Sequence, residues 1–175
     1  MSDSTPFNIT ISASELQNFY QDQLNQSQDI HKTHHALITL SSFISTFGLA
    51  AQDIESYQEI VSAIKAVIDK SQQMLLEKST EELVTALRQC NIAALTAVHT
   101  SLRGHDFYTV LEAAITELSD DDIRLVMIWS DNWVKEAKEM ATEASETPDT
   151  MDFSSADIKV EEYHAISNID RVFNP

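Results

Sequence analysis

A chain of 175 residues with two glycines, three prolines and 43% hydrophobic residues can bury a sizeable core and is too poor in turn formers for a β-sandwich or a disordered chain. Its 28 acids against 11 bases give a formal charge of −17, which repels nucleic-acid phosphates and anionic membranes and attracts basic partners. One cysteine excludes an internal disulfide framework, and glycine at only two positions, Gly48 and Gly104, excludes a P-loop, a dinucleotide fingerprint and a nucleophile elbow.

The pattern predicts an all-α fold, a single-domain bundle of about six helices. Residues 1–11 read as a flexible N-terminal arm and 12–175 as one helical domain. Ser12 to Glu15 forms a capping box that opens a long first helix, in which Leu16, Phe19, Gln23, Gln26, Ile30, Thr33, Leu37, Leu40, Ile44 and Phe47 alternate by three and four. Gly48 fits the position just past its end. A second helix starts near Asp53, with Ile54, Tyr57, Val61, Ile64, Ile68, Ser71 and Leu75 inward. Ser79-Thr80-Glu81-Glu82 is a second capping box and predicts a third helix, with Leu83, Leu87, Cys90, Ala94, Val98 and Leu102 inward and Gly104 as its terminator.

Asp106 caps a short fourth helix carrying Phe107, Val110, Leu111, Ala114, Ile115 and Leu118. Ser119 caps a fifth, near 120–146, whose first half holds so many apolar residues that other elements should cover it on several sides. This is the expected central helix. Residues 147–153 read as a linker. Ser154 to Asp157 then caps a last helix with Ile158, Ala165, Ile169 and Val172 inward. With no export signal and no run approaching the ~20 apolar residues of a membrane span, the expected location is cytoplasmic, without membrane attachment.

Several residues invite chemistry. His31, His34 and His35 share a helix face, and His31 with His35 has the spacing to chelate a metal. In the predicted register the three point outward, so a solvated cluster, or one that gains protons in mild acid, is the simpler reading. Glu161-x-x-His164 is half of a di-metal carboxylate motif; its second copy is missing, and Glu112 and Glu117 also serve as ordinary surface charge. Asp120, Asp121 and Asp122 complement the dipole of the helix they open. Cys90 and His99 could suggest a nucleophile pair, but Cys90 falls on the apolar face of the third helix, where a cysteine behaves as a small hydrophobe, which argues against catalysis there. Trp129 and Trp133 fit a core, or alternatively a binding anchor.

The charge is uneven. Residues 117–175 hold 15 acids and 5 bases, a third of the chain with over half of the excess. The function this predicts is a non-enzymatic acidic interaction protein of the inhibitor, immunity or adaptor type. It would bind a basic protein partner through Glu136, Glu139, Glu143, Glu146, Asp149, Asp152, Asp157, Glu161 and Glu162, and in one version of this reading it imitates nucleic acid rather than binding it. No cofactor and no catalytic residue is expected. The rival readings are a metal-binding bundle using His31, His35, Glu161 and His164, and a homo-oligomeric structural subunit.

Overall fold

The computed structural model describes residues 13–47, 54–102, 104–144 and 159–175. Among them every regular element is helical, so the chain is all-α. The elements are α1 (Ala13–Asn25), α2 (Ile30–Phe47), α3 (Ile54–Arg88), α4 (Ile92–Ser101), α5 (Gly104–Glu117), α6 (Asp120–Glu143) and α7 (Val160–Phe173). Among the described residues seven helices stand where about six were expected, and the chain groups into two compact units, 1–75 and 76–175, whose boundary falls inside α3. The predicted arm, the Gly48 terminator, the linker and the caps at 154–157 lie outside the described residues.

In the first unit, the predicted long first helix is broken between Asn25 and Ile30. Gln26, Ser27, Gln28 and Asp29 have no apolar surface to bury, and Asp29 serves the next helix instead, its carboxylate accepting from Lys32 N at 3.2 Å. The burial register also differs. Leu24 is fully buried, whereas Phe19, Gln23 and Gln26 are exposed. Ile30, Leu37, Ala63, Ile64, Val67 and Leu75 are buried with it, while Val61, predicted inward, is exposed.

Ser79 does not begin a helix. α3 runs through it without interruption, and Ser79 and Thr80 are buried on its inner face, between Leu75 and Leu83. The apolar row continues across the capping box in steps of three or four, and burying that row outweighs a cap worth about 1 kcal/mol. Thr80 Oγ1 donates to Leu76 O at 2.8 Å; the Ser79 hydroxyl is buried with no hydrogen-bond partner among the described residues.

α3 stops at Arg88 in a Schellman ending. Cys90 N donates to Leu87 O at 3.0 Å and Asn91 N to Ala86 O at 2.9 Å, with Cys90 in the left-handed conformation at φ 47°. Asn91 then caps α4, its side chain accepting from Ala94 N at 3.1 Å. Cys90 thus leaves the apolar face on which the sequence placed it. Gly104 is the first residue of α5 rather than the end of the preceding helix, and Asp106 sits in that helix's first turn.

In the second unit α7 packs against both α4 and α6, and its Ala165, Ile166 and Ile169 are fully buried. Phe173 is buried as well, whereas Val172, predicted inward, is exposed. Phe107, Val110, Leu111 and Ala114 of α5 and Leu95 and Val98 of α4 contribute to this core, as do Leu83 and Leu87 of α3 and Val126 and Val134 of α6. Arg88 ties the end of α3 to the α5–α6 corner, donating through Nη2 to Glu117 O at 2.9 Å and through Nε to Asp122 Oδ2 at 3.4 Å.

Candidate functional site

α6 presents the most distinctive surface. It opens on a reciprocal capping box: Asp122 N donates to Ser119 Oγ at 3.2 Å, and Ser119 N returns to Asp122 Oδ2 at 3.1 Å. Hydrogen bonds from the Ser119 side chain and backbone, with a smaller contribution from Arg88, hold the Asp122 carboxyl below the usual carboxylate range. Of the three acids in the first turn, Asp122 thus acts on the helix terminus, while Asp121 lies 3.5 Å from Arg124.

Only one face of α6 is buried, that of Val126, Ser130, Val134, Ala137 and Ala141. A polar knot fixes its rotation against α7. Ser130 Oγ donates to Asp170 Oδ1 at 3.2 Å, while Asn174 Nδ2 donates to the same oxygen at 2.9 Å and to Met127 O at 3.2 Å. The apolar half is not enclosed on several sides: Leu125 and Ile128 are 56% and 61% exposed, and Trp129 and Trp133 are half-buried. The density of apolar residues there reflects a buried face plus an exposed pair.

The outward row contains Asp121, Leu125, Ile128, Asn132, Glu136, Glu139 and Glu143, stepping by four, three, four, four, three and four, so all seven share one side of the helix. All are exposed. Lys135, at the border of this row, pairs with Asp131 at 2.6 Å, and that hydrogen bond pushes the lysine pKa up. Among the described residues no cation pairs with Glu136, Glu139 or Glu143.

On α7, Glu161 is exposed, and Glu162 is half-buried beside Lys159 at 3.4 Å. Glu146, Asp149, Asp152 and Asp157 lie outside the described residues. Of the proposed contact acids, the structure thus places three on one face of α6 and two in the first turn of α7.

The histidines separate. His34 does not point outward. It is buried, with Nδ1 2.7 Å from Ser71 Oγ on α3, while His31 is half-buried and His35 exposed. Glu161 and His164 are both exposed on α7. Among the described residues no three of His, Cys, Asp and Glu gather as a metal site would require. Burial pushes the Cys90 thiol up, away from the thiolate a nucleophile needs.

His99 has a partner that sequence reasoning missed. Asn168 Nδ2 lies 2.9 Å from His99 Nε2, and Asn168 Oδ1 accepts from the Tyr108 hydroxyl at 3.2 Å, so α4, α5 and α7 meet in one polar chain. The amide donates to Nε2, which places the imidazole proton on Nδ1. Burial, with the His164 charge adding, pushes His99 down. The ring also meets Phe107 edge-on, with centroids 4.7 Å apart. No sequence signal links residues 60 and 69 apart.

A shallow groove of about 520 Å³ runs between α3 and α4, with Glu81, Glu82 and Thr85 on one wall and Ala94, Ala97 and Val98 on the other. No described helix is long and apolar enough to cross a membrane. No protein family, curated protein or solved structure shows significant similarity to the chain.

Proposed function

We propose that this protein works by binding rather than by catalysis, engaging a basic protein partner through the acidic residues of its C-terminal third. The observation that carries this reading is the set Glu136, Glu139 and Glu143, aligned on one exposed face of α6 with none of them in an ion pair among the described residues. Glu161 and Glu162 supply further negative charge. Carboxylates in this arrangement speed the encounter with a cationic surface and fix its orientation, while apolar neighbours such as the exposed Met140 add contact area. An inhibitor, immunity or adaptor protein of the cytoplasm works in this way. If the partner is itself a nucleic-acid-binding protein, the carboxylates would stand where phosphates bind.

The test is charge reversal of Glu136, Glu139, Glu143 and Glu161 to lysine, followed by comparison of the proteins retained by each form. A basic partner held by the wild type, released progressively as salt rises and lost with the variant, is the expected result. Affinity and salt dependence that survive the four substitutions would sink the reading.

A further inference from the structure

The outward row of α6 is not uniformly acidic, and its order along the helix restricts what can cover it. Leu125 and Ile128 stand one turn apart near the N-terminal end, each more than half exposed. Asn132 follows, and then Glu136, Glu139 and Glu143 occupy the C-terminal end. At 1.5 Å per residue, Ile128 and the middle glutamate, Glu139, are separated by about 16 Å. The knot of Ser130, Asp170 and Asn174 holds the opposite side of α6 to α7, so the row is presented in a fixed orientation.

We propose that this face receives an amphipathic helix of the partner, whose apolar residues pack on Leu125 and Ile128 and whose lysines or arginines reach Glu136, Glu139 and Glu143. This rests on the basic-partner reading and adds the partner's secondary structure, register and direction. A helix suits the row because residues three and four apart on both sides can interlock over several turns. Cations are favoured at a helix C-terminus, so the partner helix runs parallel to α6, with its basic end beside the glutamates.

Charge complementarity excludes the simplest alternative occupant. A second copy laid parallel would set glutamates against glutamates, and one laid antiparallel would set the glutamates against Leu125 and Ile128. Nucleic acid and anionic lipid meet the same repulsion. What remains is a partner with the opposite charge at one end and an apolar patch at the other.

The experiment uses the full chain and two fluorescein-labelled synthetic peptides of about 20 residues. The first carries a leucine pair at i and i+3 followed, about 8 residues later, by three arginines at helical spacing. The second has the same composition with leucines and arginines exchanged end for end. Binding is read by anisotropy at several salt concentrations. The wild type is expected to bind the first peptide about tenfold more tightly than the second. Leu125→Ser with Ile128→Ser, and separately Glu136→Lys with Glu139→Lys and Glu143→Lys, should each weaken the first peptide by about tenfold or more, with circular dichroism unchanged because all five side chains are exposed.

Equal affinity for the two peptides, or no binding of either, overturns the proposal. Sensitivity to the glutamate changes without sensitivity to the leucine and isoleucine changes also overturns it, while leaving the basic-partner reading intact. Indifference to both sets of changes removes both. Light scattering that shows wild-type dimers abolished by Leu125→Ser and Ile128→Ser would assign the face to a second copy, and that too overturns the proposal.

Discussion

The Nδ1 of His34 lies 2.7 Å from the Oγ of Ser71, joining α2 to α3 inside the first unit. Ser71 gives its single hydroxyl proton to Ile68 O at 2.7 Å, so the imidazole must be the donor and His34 carries its proton on Nδ1. The two residues are 37 positions apart in sequence and both buried. Ser71→Ala should destabilise the protein by about 1–2 kcal/mol, because a buried donor loses its acceptor. Replacing His34 by leucine as well should recover part of that loss, so a double-mutant cycle by urea unfolding should show coupling. Additive effects would mean that the contact does not contribute.

Ser79 and Ser119 belong to similar local motifs and should respond differently to the same substitution. Ser119→Ala removes a cap with its reciprocal bond and should cost about 1 kcal/mol. Ser79→Ala removes a buried hydroxyl that has no partner, and should be neutral or stabilising by up to about 1 kcal/mol. A clear loss of unfolding free energy in Ser79→Ala would contradict a continuous α3.

At Cys90 the backbone adopts a conformation that glycine accepts without penalty. Relief of about 1–2 kcal/mol of left-handed strain, less the greater freedom of the unfolded chain, should leave Cys90→Gly more stable by about 0.5 kcal/mol. Cys90→Val, with a branched Cβ in the same conformation, should be less stable than wild type. Thermal unfolding of the three proteins should rank them glycine, cysteine, valine.

His99 makes stability depend on pH. Its pKa in the folded protein is lowered by burial and by His164, so the folded state binds a proton less readily than the unfolded chain. The contribution of neutral His99 is complete above the ordinary imidazole pKa of about 6.5 and is lost as pH falls from there to the depressed folded value, below which it levels off. Protonation also turns Nε2 into a donor facing the amide of Asn168. Denaturation midpoints measured between neutral and mildly acidic pH should fall more steeply in wild type than in His99→Gln. Parallel curves would show that His99 does not supply this dependence.

Much of the helical content was legible because apolar residues recur every three or four positions and because Ser119-x-x-Asp122 acts through neighbours in sequence. Ser79-Thr80-Glu81-Glu82 offered similar local chemistry and misled, since a cap is decided by whether the row around it is buried. The end of α3 was hidden for another reason: cysteine holds the left-handed position that glycine usually marks. His34 differs from His35 by a rotation of one residue, and only the α2–α3 contact reveals which of them is enclosed. At the candidate site, the acidity of α6 could be read from composition. That Leu125 and Ile128 are exposed on the side of the glutamates, by contrast, depended on knowing which side of the helix α7 covers.

The joint between α3 and α4 has a practical consequence. Cys90 is the chain's one thiol, half-buried and held toward its protonated form, at the residue where the backbone reverses its handedness. Alkylation by iodoacetamide should therefore be slower than that of a free thiol and should quicken when the joint loosens, and with no second sulfhydryl to blur the signal, its rate reports on that local motion in an otherwise unmodified protein.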